Sequence, residues 1–339
     1  MAAWPPLAKG VFLTCFLACF DDSLVENAKI CFFHQKTIFF AFFLFYRAFN
    51  LVKYENEERN EYLCTKIDEP MSTDIISSTS NPRVKLLLTL QQKSAERRKR
   101  GMFVVEGVRE LTHCLSAHLE VETVFHCPTL TEGNLEVLQL LTTLPSSKII
   151  PVTEGLYAKI AYRGGTEGLI AEVRTRPLTL GDLHLGENPL LMILERVEKP
   201  GNLGAVLRSA DAAAADAVII CDPLTDIYNP NIIRSSIGAV FTVPCVACTT
   251  PECISFLKEK GIRILTAQLQ DSSLYYDTDM TCGTAIVLGT EATGLTNSWR
   301  EAADAHIRIP MLGSLDSLNV SVSAAILLFE AVRQRQGAS

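Results

Sequence analysis

The chain has 339 residues, 48% of them hydrophobic and 20% charged, with a formal net charge of -7. That length can bury a sizeable core and allows two domains, and the acidic balance excludes a protein that grips nucleic acid over its whole surface while leaving room for a local basic patch. Eleven cysteines, scattered without the dense framework of a small secreted domain, point to a reducing, cytoplasmic setting.

Residues 1–70 form an apolar N-terminal extension. "VFLTCFLACF" and "TIFFAFFLFY" are apolar runs of about half the length that a membrane-spanning helix needs, so no stable span is expected. A signal peptide fits poorly, because Asp21 and Asp22 follow the first run without a small-residue cleavage site. Met71 opens a segment of ordinary globular composition; an overextended start site is the favoured reading, and an interfacial or targeting segment the alternative.

Residues 71–173 read as a small α/β domain. "NPRVKLLLTLQQKSAERRKRG" predicts a helix followed by a basic turn, with Val84, Leu87, Leu88 and Gln91 on one helix face and Gly101 able to end it. The strand "MFVVEG", the helix "VRELTHCLSA", the strand "VETVFHC", the helix "NLEVLQLLTTL" and the strand "SKIIPVT" follow. Lys93, Arg97, Arg98, Lys99 and Arg100 make a basic run, interrupted by Glu96, suited to phosphate contacts that give affinity without reading sequence. Residues 174–187, which lead on to Pro189, contain one proline and two glycines with little periodicity and predict an interdomain linker.

From 188 to 336 apolar strands alternate with helices, which predicts a parallel sheet covered on both faces. The strands are "LLMILERV", "DAVIIC", "TVPCVA", "IRILTAQ", "TAIVLG" and "HIRIP". The helices between them end in a long "VSVSAAILLFEAVRQR", whose Val320, Ala324, Leu327, Leu328 and Ala331 share a face. Cys245, Cys248 and Cys253 cluster in "VPCVACTTPEC", but a zinc site would need a fourth ligand, so they are read as small core residues and no metal is expected.

In such a sheet the segments after the strands gather at one edge, where ligands bind. Three are unusual. In "ERVEKPGNLGAVLRSADA", Asn202 is placed to cap the helix, Gly201 and Gly204 let backbone approach a ligand or a neighbouring strand, and Arg208 lies about two turns in. In "VLGTEATGLT", Gly289 and Gly294 flank Glu291. In "IPMLGSLDSLNVSVS", Ser314, Ser317, Asn319 and Ser321 supply donors and acceptors, and Asn319 is placed to cap the last helix.

"GNLGAVLRSADA", "IVLGTEATGL" and "IRIPMLGSLDSLNVSVSAAILLFE" closely resemble, in order and spacing, the three motifs of the SpoU, or TrmH, family of RNA ribose 2′-O-methyltransferases. "NPRVKLLLTLQQKSAERRKRGMFVVEGVREL" resembles the start of the ribosomal-protein-like substrate-binding domain that precedes the catalytic domain in many members. The resemblance implies an α/β catalytic domain of the SPOUT superfamily, in which the C-terminal segment is threaded as a trefoil knot. It implies S-adenosylmethionine as cofactor, held around Leu288, Gly289, Ile309, Met311, Ser317, Leu318 and Asn319. It implies Arg208, Asn202, Glu291 and Asn319 as the catalytic set, and a homodimer with the active site near the subunit interface. Because a guanidinium is a poor base, Arg208 is assigned to the adjacent phosphate and the developing alkoxide. The appended domain favours large-subunit ribosomal RNA over tRNA, and the need for a 2′-hydroxyl excludes DNA. A non-catalytic RNA-binding protein of the same fold is the alternative from another class.

Overall fold

The computed structural model describes residues 75–162, 167–290 and 293–337, and the reading of residues 1–70 lies outside them. The described part opens with helix α1 (Pro82–Gln92), capped by the Asn81 side chain, and helix α2 (Ser94–Arg100). A basic turn was expected after the first helix; instead the chain breaks at Lys93, which is extended (φ -115°, ψ 109°), and the basic residues form a second helix. Gly101, at φ 62°, terminates α2 as its lack of a Cβ allows. Strand β1 (Met102–Glu106), helix α3 (Val108–Ser116) and strand β2 (Val121–His126) follow. Then come helices α4 (Pro128–Thr131) and α5 (Leu135–Thr142), strand β3 (Ile149–Pro151), helix α6 (Glu154–Ile160) and strand β4 (Leu169–Arg174).

These strands form a four-stranded sheet ordered β1-β4-β2-β3. β4 is antiparallel to both its neighbours, and β2 pairs with β3 in parallel. The central strand β4 was not among the expected elements: its inward Glu172 interrupts the apolar run, and it leads directly into the proline-containing segment. α1 buries Val84, Leu87, Leu90 and Gln91, so Leu90 takes the place expected of the half-buried Leu88.

The segment expected to be a linker packs down instead. Thr179 and Asp182 form a reciprocal capping box, Leu178 bridges to Val246, and Leu180, Leu183 and Leu185 lie against the core of the second sheet. These contacts make it a packed strap.

The second sheet begins with β5 (Leu190–Glu195), followed by α7 (Pro200–Ala212), β6 (Ala217–Cys221), α8 (Pro230–Ser236), α9 (Ala239–Thr242) and β7 (Cys245–Cys248). It continues with α10 (Thr250–Glu259), β8 (Arg263–Ala267), the short β9 (Ser273–Leu274), β10 (Thr284–Leu288), α11 (Asn297–Ala302), β11 (Ala305–Arg308) and α12 (Val320–Gly337). The order is β7-β6-β5-β10-β8-β11-β9, with every pairing parallel. Strand alternation divides the apolar residues between two faces. Leu190, Met192 and Leu194 enter one core, with Leu327 and Leu328 of α12; Leu191 and Ile193 enter the other, with Trp299 of α11. The first of these cores also takes in Phe103 and Val105 of β1, and Phe103 stacks on Tyr228 with ring centroids 4.6 Å apart.

Candidate active site at the carboxyl edge of the second sheet

Because all its strands run the same way, the second sheet delivers the segments after β5, β10 and β11 to one edge. A cavity of about 380 Å³ opens there, over the ends of β8, β10 and β11. Of the residues expected to hold a cofactor, Leu288, Gly289, Ile309, Met311, Ser317 and Leu318 line it. Asn319 is not in its wall.

The loop after β10 is drawn into a tight turn. Thr290 accepts at its carbonyl from the Gly294 amide (3.0 Å) and at its hydroxyl from the Thr293 amide (3.0 Å). Gly289 is pressed so closely to this turn that a Cβ there would meet the Gly294 carbonyl and lie 2.6 Å from the Leu295 amide nitrogen. Only a glycine leaves the backbone of this wall in place. Glu291 lies outside the described residues.

Buried Glu195, at the end of β5, braces the far side of the same loop. One carboxylate oxygen accepts from the Thr296 amide (2.9 Å), and the other from the Thr296 hydroxyl (2.7 Å) and the Thr250 hydroxyl (3.3 Å). Sequence inspection overlooked Glu195; its signal was an acid closing an otherwise apolar strand at the ligand-binding edge. Gln268 and Leu269 after β8, with Arg300 and Arg308, also line the cavity and were overlooked. The loop after β8 carries no glycine or asparagine cluster to single it out.

Asn202 and Asn319, 117 positions apart, meet: the Asn319 side-chain amide donates to the Asn202 side-chain oxygen at 3.2 Å. Asn319 caps α12 as expected, accepting from the Ser321 amide (3.0 Å) and hydroxyl (2.7 Å). Asn202 does not cap α7. That helix starts at Pro200 with Lys199 as its cap residue, so Asn202 sits inside the first turn and its side chain is left to reach across to the last loop. Gly204 serves neither a ligand nor a strand: a Cβ would strike Ser235 and come within 2.8 Å of the Ser236 amide nitrogen, so it permits close packing of α7 on α8. Arg208 is exposed on α7, its side chain makes no hydrogen bond or ion pair with the described residues, and it is not in the cavity wall.

In the basic run, Lys93, Arg98, Lys99 and Arg100 are exposed, and Arg100 pairs with Glu96 at 3.2 Å. Arg97 departs from the expected RNA-binding role. It is buried, with its guanidinium 2.6 Å from Asp226 and bonded to the Leu90 and Gln91 carbonyls at 2.7 and 3.2 Å. At 3% side-chain exposure it cannot reach a phosphate.

Residues 189–329 match the SpoU rRNA Methylase family, and residues 81–171 match the MRM3-like substrate binding domain. The 23S rRNA (guanosine-2′-O-)-methyltransferase RlmB of Pseudomonas putida is 34% identical over 218 residues, which cover 61% of this chain and 88% of that protein. A crystal structure of an RNA 2′-O ribose methyltransferase is 38% identical and superposes with a TM-score of 0.69, covering 78% of this chain and all of the other. The SpoU methyltransferase AviRb from Streptomyces viridochromogenes, in complex with AdoMet, is 29% identical with a TM-score of 0.70, covering 76% of this chain and 98% of that one.

Proposed function

The chain belongs to the SpoU rRNA methylase family, and from that premise we propose that it uses S-adenosylmethionine to methylate a ribose 2′-oxygen of large-subunit ribosomal RNA. The observation that carries this reading is the cavity at the sheet edge, where the second and third motif loops meet around Gly289, a position with no room for a side chain. Its wall suits the cofactor: apolar Leu288, Ile309 and Met311 offer surface for flat or aliphatic groups, and the backbone beside Gly289 and Ser317 offers hydrogen-bonding groups at close range.

When bound, S-adenosylmethionine supplies an electrophilic methyl group on a cationic sulfur. This chain's task is then to hold the 2′-oxygen in line and to manage its negative charge as the proton leaves. We assign Arg208 to the neighbouring phosphate and the developing alkoxide, since a guanidinium serves as a fixed cation more readily than as a base. Asn202 and Asn319, bonded to each other, tie the first motif helix to the third motif loop. We assign Glu291 to the second motif loop between Gly289 and Gly294.

We further propose that residues 71–173 select the RNA, with Lys93, Arg98, Lys99 and Arg100 contacting phosphate, that residues 188–336 form the knotted catalytic domain, and that the protein works as a cytoplasmic homodimer. Exposed Leu312, Leu315, Val322 and Phe329, on the third loop and α12, support a second copy covering this region. No helix among the described residues is long and apolar enough to cross a membrane.

The test is transfer of labelled methyl from S-adenosylmethionine to ribosomal RNA and tRNA taken from cells lacking the protein. The expected product is a 2′-O-methyl nucleoside in large-subunit RNA. Label confined to tRNA, or found on a base, overturns the substrate or the chemistry. Arg208→Ala is expected to slow transfer by about a hundredfold or more while leaving cofactor binding intact.

A further inference from the structure

Away from the cavity, strand register builds a second cluster of reactive side chains. Glu195 of β5 pairs with Cys221 of β6, and Cys221 with Cys248 of β7, so the three stand in one row across the sheet near its carboxyl edge. α10 packs over this face and adds Cys253. The sulfurs of Cys221, Cys248 and Cys253 all lie within 4.8 Å of one another, the one such ligand group among the described residues. Cys245, which sequence proximity had grouped with them, points the other way: three positions from Cys248 on a strand, it enters the opposite core.

Three features suit a bound cation better than three packed thiols. Zinc thiolate bonds of about 2.3 Å in tetrahedral array place sulfurs about 3.8 Å apart, a spacing inside the 4.8 Å that bounds the present separations. Cys221 and Cys253 are buried and Cys248 half-buried, which gives a protected site with an open side for access and for a water ligand. Glu195 and Asp222, bridged by the Thr250 hydroxyl at 3.3 and 2.7 Å, add negative charge beside the row. Such surroundings disfavour bare thiolates and favour a cation that takes the place of their protons. A disulfide would use two of the three sulfurs and strand the third.

We propose that Cys221, Cys248 and Cys253 form a three-thiolate site for one soft closed-shell cation, Zn²⁺ with a water as fourth ligand or Cu⁺ in trigonal coordination. Three S–H bonds give way to three sulfur–metal bonds, and the protons pass to solvent. Three thiolates as the protein's ligands select these ions over Mg²⁺ or Ca²⁺. The ion would pin β6, β7 and α10 together, one helical turn from the Thr250–Glu195–Thr296 contacts that brace the loop after β10. The site does not depend on the methyl-transfer reading.

The experiment titrates the reduced full chain, kept in a phosphine reductant, with Zn²⁺ against a chromophoric chelator and separately with Cu⁺ against a Cu⁺-specific chelator. The expected result is one equivalent of at least one ion, a higher melting temperature with that ion, and slower alkylation of Cys248. Cys248→Ser, at a half-buried position, is expected to weaken binding by about tenfold or more, and Cys245→Ser to leave it unaltered. Absence of stoichiometric binding of either ion, undiminished binding in Cys248→Ser, or a Cys248–Cys253 disulfide forming in air with no ion taken up would each overturn the proposal.

Discussion

Arg97 shows how burial reassigns a charge. Its guanidinium and the Asp226 carboxylate have side-chain exposures of 3% and 9%, and Nη1 donates to the Leu90 and Gln91 backbone carbonyls of α1. Arg97→Ala would leave Asp226 buried without its partner, at a cost of about 3–5 kcal/mol. A urea melt should show that loss, whereas RNA affinity at fixed salt should stay unchanged for the folded fraction. Glu172 is the opposite case, a buried carboxyl on β4 with one oxygen lacking a hydrogen-bond partner among the described residues. Burial pushes it from 4.5 up to about 7, with Thr123 and Arg83 pulling it partly back. The folded protein thus keeps a proton that the unfolded chain loses. The contribution of Glu172 to stability is present below about pH 4.5 and is lost as pH rises through about 7. Glu172→Gln should flatten this part of the stability curve, by up to about 3 kcal/mol, in melts taken between pH 4.5 and 8. His126 works in the other sense, since burial lowers it to about 4 and its contribution is lost on acidification.

Among elements, the loop between β10 and α11 is held at several described positions. Glu195 holds its end at Thr296, Thr290 accepts from the Thr293 and Gly294 amides, and Gly289 lies tightly against Gly294. Gly289→Ala should therefore displace the cavity wall without unfolding the sheet. The expected outcome is a loss of cofactor affinity of about tenfold or more in calorimetric titration, with the melting temperature lowered far less than by Arg97→Ala. Elements with strong periodicity were legible in sequence: β5, β6, β10 and the α12 face of Val320, Ala324, Leu327, Leu328 and Ala331 stand where they were read. β4 escaped because a buried acid broke its pattern, and α2 was read as a turn because its run of charged residues carries no apolar periodicity.

For the whole molecule, a net charge of -7 sets repulsion from RNA against a local cluster of Lys93, Arg98, Lys99 and Arg100. Reversing Arg98, Lys99 and Arg100 to Glu should weaken ribosomal RNA binding and flatten its dependence on salt, because each lost phosphate contact releases fewer counterions. A filter-binding series in rising KCl reads both effects; an unchanged slope would assign these side chains to solvent alone. The sequence by itself determined the alternation of apolar strands and helices, the three motif segments and their resemblance to one family, because periodicity and glycine placement act over short spans. Only the tertiary structure decided that Asn202 meets Asn319 across 117 positions, that Arg97 is buried against Asp226, and that Cys221 rather than Cys245 joins Cys248 and Cys253. Each of these depends on which strands become neighbours and which face a side chain takes, and those are fixed by packing between segments far apart in the chain.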